Sequence, residues 1–298
     1  MKQLLLMCTL LLPALLRAGQ EFSLNRTDGG LVVTCGGAEF RFTDGRTEIE
    51  VRDGQKWIEP LIVNARMSDG CGSGRVVRRG RSCRRAVLED GEVRKVVRVD
   101  CPLDVETDKG QSRPFDSAHL EVFYLFMRGV PGVRVVQRLT ADNGFAVHAY
   151  NVCAPYIFAR YAVDGGETKP YPSKPIAIRP PVQAGIVAET KGGTRWFFSK
   201  DFACLAGGGS FLCKPPVVFP AQGQRFNPGM TAEFAVTVGR VLDESDVGKL
   251  SGLADALPAP AAEQPADAAP DAGLVASNTV YATALPQPLH GGRDSIRA

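Results

Sequence analysis

The stretch AHLEVFYLFMRGVPGVRVVQRLTADNGFAVHAYNV, residues 118–152, decides the fold. Its segments Ala118–Arg128 and Val133–Thr140 are rich in β-branched and aromatic side chains, and Gly129-Val130-Pro131-Gly132 separates them with turn chemistry. Asp142-Asn143-Gly144 marks a second turn before a third strand, Phe145 to Val152. Successive strand residues alternate sides, so Phe145, Val147, Ala149 and Asn151 are expected on one face and Ala146, His148, Tyr150 and Val152 on the other.

The same two-residue period extends toward both ends. It recurs in Ala38–Thr43 (AEFRFT), Glu48–Arg52 (EIEVR) and Val93–Val99 (VRKVVRV). Asp44-Gly45, Asp53-Gly54 and Asp90-Gly91 sit between such runs, and Asp-Gly tolerates the positive φ of a tight hairpin turn, so consecutive hairpins are expected. Pro and Gly cluster from Gly165 to Pro181, which excludes a central strand and points to a long loop or an edge excursion. Strands resume at Gln183–Glu189, Thr194–Ser199 and Thr231–Leu242, the last entered through Asn227-Pro228-Gly229. Asp243 to Leu257 reads as one short helix with Leu250, Leu253 and Leu257 on a face and Ser245 near its start. The expected fold is all-β, an antiparallel β-sandwich over residues 21–242 followed by the helix 243–257. Residues 258–298 open on an Ala, Pro and Asp tract and are expected to be a disordered linker or tail.

Lys2 precedes an apolar run from Leu4 to Leu16, and small residues follow at Ala18-Gly19, the outline of a signal peptide over residues 1–20. The run is short of the roughly 20 apolar residues of a bilayer span. A secreted or periplasmic chain with no membrane span after cleavage is therefore expected. Removing Cys8 with the signal leaves Cys35, Cys71, Cys83, Cys101, Cys153, Cys204 and Cys213, an odd number that allows disulfides without specifying them. No C-x-x-C pair or zinc-type spacing occurs, so neither a metal nor a cofactor is called for. The net charge of +3 gives no reason to expect nucleic acid as a partner.

Motifs for several chemistries are missing: there is no H-E-x-x-H, G-x-S-x-G, phosphate-binding loop or dinucleotide fingerprint. Gly207-Gly208-Gly209 has no Lys-Ser or Lys-Thr after it and reads as a turn. His119 and His148, taken to lie on neighbouring strands, are candidates for acid and base because imidazole titrates near neutral pH; the alternative is a pair of ordinary sheet residues. Arg66 to Arg98 holds ten basic residues against four acids. Arg78, Arg79 and Arg81 are the candidates there for holding an acidic glycan, while a solvated sheet edge is the plainer reading. Trp196, like Trp57, sits in a strand pattern and is either a stacking platform for a sugar ring or a core residue.

The segments Glu121–Arg128 and Val133–Thr140, with Arg138-Leu139-Thr140 leading into Asn143-Gly144 and another strand, resemble the "strand, turn, R-L-T-x-x-N-G, strand" run of galactose-mutarotase-like β-sandwiches. Phe226-Asn227-Pro228-Gly229-Met230-Thr231-Ala232-Glu233-Phe234 is similar to the P-G-x-x-x-x-F entry to that family's last long strand. The resemblance implies a supersandwich of the kind found in aldose epimerases and as accessory domains of glycoside hydrolases and polysaccharide lyases. The family's epimerases use a histidine acid and a glutamate base. No matching His motif is present, and Glu233 lacks the surrounding pattern of the base, so the resemblance favours a non-catalytic glycan-binding or accessory module. If the chain is an enzyme of the epimerase or lyase type, His119, His148 and Glu233 are its candidates. A structural envelope protein without a small ligand is the third reading.

Overall fold

The computed structural model describes residues 21–257 other than 47, 155–157, 164, 172–175, 179–184, 199–202, 208–209 and 215–223. The expected signal peptide and tail lie outside the described residues. Strands are numbered along the chain. The first sheet is a meander of β1 (Ser23–Thr27), β2 (Gly30–Cys35), β3 (Ala38–Thr43), β4 (Ile49–Asp53) and β5 (Lys56–Ile58). The second contains β6 (Ile62–Asp69), β7 (Gly72–Arg78), β10 (Leu103–Glu106), β11 (Ser112–Pro114), β14 (Phe145–Ala154), β17 (Ile176–Ile178), β20 (Ala203–Gly207), β21 (Ser210–Lys214) and β22 (Gln224–Phe226). The third runs in the order β16 (Lys169–Pro170), β15 (Phe158–Val163), β18 (Ile186–Thr190), β19 (Arg195–Phe198), β23 (Thr231–Arg240), β13 (Gly132–Ala141), β12 (Ala118–Met127), β9 (Arg94–Cys101), β8 (Arg84–Asp90). The strand pairs are antiparallel, and α1 (Ser245–Ala256) follows the last strand.

One face of the third sheet carries the main core. Leu120, Val122, Tyr124 and Phe126 of β12 point into it, and the first sheet meets them with Phe40 and Phe42, whose rings lie 5.3 Å from Phe126 and 5.0 Å from Tyr124 respectively. The second sheet closes the rest of that face, and the Tyr150 hydroxyl donates to Gln137 Oε1 at 2.6 Å across the gap. The opposite face of the third sheet is divided. At one end α1 covers it, and Phe123, Leu125, Val136 and Phe197 pack with Leu250, Leu253 and Leu257 in a second apolar cluster. At the other end, which no helix among the described residues covers, the same strands present His119, Glu121, Arg138, Thr140 and Glu233. This division explains why β12 alternates at its start and becomes continuously apolar from Val122: a strand covered on both sides has no solvent face to keep polar.

Gly132 and Gly239 are directly paired across β13 and β23, and together they form the socket for the helix. A Cβ built on Gly132 would lie 2.2 Å from Leu250 Cδ2, and one on Gly239 2.4 Å from the same atom. Asp246, buried at the start of α1, accepts the backbone N–H of Leu242 and of Asp243, each at 3.0 Å, and ties the segment leaving β23 to the first turn of the helix.

Two expectations are corrected, the turn at Gly91 and the alternation of β14. Gly45 and Gly54 have positive φ as the Asp-Gly turns require, but Gly91 does not. Its N–H instead donates to the Arg94 carbonyl and closes a longer loop between β8 and β9. The Asp142–Gly144 turn joins no hairpin, because β14 crosses to the second sheet and pairs with β6. Within β14 the register shifts between Val147 and Ala149. That bulge at His148 brings Tyr150 onto the buried side with Phe145 and Val147, where strict alternation separates them.

Candidate functional site

A cleft of about 620 Å³ opens where β9 and β12 meet the segment leading into β8 and the loop before β12. His119, second residue of β12, is half exposed on its wall. Its Nδ1 lies 2.9 Å from both carboxylate oxygens of Asp142. An ionised carboxylate only accepts, so the pairing sets the ring with Nδ1 as the donor. Asp142 is itself anchored: its N–H and that of Asn143 both donate to the Ser117 carbonyl, at 3.0 and 3.1 Å. The dyad is thus held by the backbone of two segments.

Carboxylates dominate the rest of the wall. Asp100, Asp116 and Glu121 line it with Asp142, against Arg84 and Arg98. Arg98 Nε lies 3.1 Å from Asp100, which neutralises one of the two arginines. The row continues along the sheet, since Arg84, Asp100, Glu121, Arg138 and Glu233 are successive partners across β8, β9, β12, β13 and β23. Arg138 is buried under this row, with Nη2 at 2.8 Å from Glu233, Nη1 at 3.8 Å from Glu121, and its guanidinium 4.9 Å above the Phe123 ring.

A second cavity of about 270 Å³ lies between the sheets, lined by Glu48, Glu59, Arg75, Arg78 and Tyr150 among apolar residues. Burial raises the Glu59 carboxyl above its ordinary value, and the Glu48 charge adds to the shift. Burial opposes the charge on Arg78, yet Cys101, Tyr124, Glu48 and Tyr150 around it hold the guanidinium above its usual pKa. Among the described residues no group of three or more His, Cys, Asp or Glu is placed to hold a metal ion, and no helix is long and apolar enough to cross a membrane.

The sequence candidates are scattered. His119 and Glu233 share the outer face of the third sheet, but the Glu233 carboxylate faces Arg138 and does not line the cleft. His148 is on the second sheet, exposed and 2.8 Å from Ser68 Oγ, so the two histidines are not on neighbouring strands. Trp196 is only 1% exposed, beneath Arg240, which removes it as a stacking platform. The side chain of Arg78 is buried beside Glu48, and Arg79 pairs with Asp104 and Asp116, so neither stands ready for an acidic ligand. Arg81, in the short turn Gly80–Ser82, has no ion-pair partner among the described residues. Elsewhere in the basic stretch Arg66 pairs with Asp108, Arg85 with Asp44, Arg94 with Glu89 and Lys95 with Asp90.

Sequence reasoning missed Asp142 as the partner of His119. The signal was present in the hairpin: once the Gly129–Gly132 turn fixes the β12–β13 register, His119 falls opposite Thr140, two residues before Asp142.

The chain forms the expected all-β arrangement of antiparallel sheets with one short helix after the last strand. No protein-family model matches the sequence, and neither does any curated protein sequence. Similar solved structures include the GH36 α-galactosidases AgaB and AgaA from Geobacillus stearothermophilus, each 9% identical, with TM-scores of 0.46 and 0.43 over 73% and 70% of this chain. The chain spans only 41% and 40% of those proteins. A galactose 1-epimerase from Lactobacillus acidophilus is 8% identical, with a TM-score of 0.41 over 74% of this chain and 99% of its own. At such identities the likeness concerns sheet arrangement, and the chemistry of the cleft is read from its own residues.

Proposed function

We propose that this chain is an exported, carbohydrate-associated β-sandwich protein that binds a neutral sugar in the cleft beside His119. The observation that carries the reading is the lining. Asp100, Asp116, Glu121 and Asp142 are acceptors grouped around a cleft of about 620 Å³, a size that suits a small ligand. A polyhydroxylated ligand offers the matching donors, and hydrogen bonds from hydroxyls to ionised carboxylates are the stronger kind. An acidic glycan suits the same surface poorly, because acids outnumber arginines on the wall and most of the basic stretch is internally paired.

Titration calorimetry with neutral hexoses and short neutral oligosaccharides, against a hexuronate, tests this directly. Neutral sugars should bind and the hexuronate should not, and H119A or D142N should weaken neutral-sugar binding by about tenfold, the equivalent of one hydrogen bond to a charged group. Binding of the hexuronate alone, or none by any sugar, sinks the proposal.

The His119–Asp142 dyad favours one second reading, proton transfer to or from the sugar. Polarimetry of anomer exchange separates the two: an enzyme turns over, and H119A abolishes turnover while sugar binding only weakens.

A further inference from the structure

Cys83 and Cys101 are brought together by strand register. Arg84 pairs with Asp100 in the antiparallel β8–β9 ladder, so the next residues outward, Cys83 and Cys101, stand opposite each other. Directly opposed strand residues have Cβ atoms roughly 4.5–5.5 Å apart, close to the separation a disulfide needs. The Cys83 N–H donates to the Gly80 carbonyl at 3.3 Å, so it is not engaged with Cys101, and the Arg79 N–H bonds the Pro102 carbonyl at 2.9 Å, which pins the incoming segment beside β9. Both side chains turn inward. Cys101 is buried in the main core, with its thiol toward the Val99 carbonyl at 3.9 Å, and Cys83 packs against the same cluster.

We propose that Cys83 and Cys101 form a disulfide when the chain meets a thiol–disulfide oxidant, and that this bond fixes the rim of the cleft. Ser82 and Arg84, on either side of Cys83, line that cleft, and Cys101 lines it from β9. The chemistry is two exchanges. The Cys83 thiolate attacks one sulfur of an external disulfide and releases a thiolate. Cys101 then loses its proton, attacks the Cys83 sulfur of the mixed disulfide and releases the second thiolate. Two protons and two electrons leave the protein, and the external disulfide is reduced to two thiols. The neighbouring Cys101 thiol lowers the pKa of Cys83, with the positive charge of Arg78 acting the same way, while the reverse interaction and burial raise that of Cys101. Cys83 is also the less buried of the two and is the attacking thiol. Cys35 is the contrast: burial pushes its thiol up to about 12, and it faces the Gly132 carbonyl.

The bond's formation does not depend on what the cleft binds. The full chain, fully reduced, is equilibrated with mixtures of oxidised and reduced glutathione, alkylated, digested and mapped by mass spectrometry. The expected result is a linked peptide pair containing Cys83 and Cys101, two hydrogens lighter than the sum of its parts, restored by dithiothreitol and accompanied by a rise of several degrees in melting temperature. C83S should abolish the link and the rise, and C71S should leave both unchanged. The β20–β21 ladder also sets Cys204 opposite Cys213, and the digest distinguishes that linkage from this one. Full alkylation of Cys83 and Cys101 at every oxidant ratio, or their linkage to other cysteines in preference to each other, overturns the proposal. The wild-type map decides even if C101S fails to fold.

Discussion

Arg138 has almost no contact with solvent, yet it carries a charge that two carboxylates share. Replacing it with Met strips Glu233 of its cation and leaves Glu121 only the Arg98 guanidinium at 3.9 Å, and breaking a buried pair from one side costs about 3–5 kcal/mol. Urea unfolding of R138M should show a loss of that order, and R138K a smaller one, since an ammonium cannot fork onto Glu233 as the Nε and Nη2 of Arg138 do. A loss under about 1 kcal/mol for R138M would mean that packing, not charge, holds the row. Asp69 gives a pH-dependent counterpart. Burial works against its ionised form, but the Arg113 fork and the Cys71 N–H outweigh it and hold the carboxyl below its ordinary value. A carboxyl lowered on folding contributes stability above its unfolded pKa of about 3.9 and loses it as the pH falls through the folded value. Stability measured against pH should therefore fall on the acid side in the wild type, and more gently in D69N. A steeper acid limb in D69N would refute the assignment.

At the scale of elements, the sequence was most readable where one physical cause acts alone. Ala38–Thr43 alternates because one face is core and the other is not, and its limits match β3 to the residue. The leucine face of α1 was equally plain, with Leu250, Leu253 and Leu257 all buried. The β14 bulge was not readable, because one inserted residue leaves apolar side chains on both sides of it and mimics continued alternation. The helix offers a direct test. Leu250 fits the floor made by Gly132 and Gly239, so G239A should displace α1, with Leu250 released from its contact, and L250A should cost about 2–5 kcal/mol. Hydrogen exchange over residues 245–256 should accelerate in G239A while β9 and β12 keep their protection. Uniform acceleration would show that helix and sheet are not separable.

For the whole molecule, charge pattern misled more than hydrophobic pattern. Arg66 to Arg98 reads as a basic face because its partners, Asp44, Asp104 and Asp108, are remote in sequence or lie on other strands, and only the assembled sheets reveal them. The candidate cleft was half legible. His119 stood out by residue type, but Asp142, Asp100 and Asp116 become its neighbours only through the pairing of β9, β12 and β13. With a net charge of only +3 the far field is weak, and binding of a neutral sugar should change less than about threefold between low and physiological ionic strength, where the Debye length falls to about 8 Å. A steep salt dependence would place the ligand on unpaired arginines such as Arg81.

The two-glycine floor under Leu250 also sets an order of events during folding. Gly132 and Gly239 belong to strands far apart in the chain, so the socket does not exist until β13 and β23 have zipped together. A lone helix of 12 residues is marginal in water, so α1 has little reason to persist before that moment. The late closure of the β13–β23 ladder, a contact of large sequence separation, is the slow kind of step. Helical signal in a refolding trace should consequently appear with the last phase of sheet formation and not ahead of it, which makes α1 the clock that marks when the third sheet is complete.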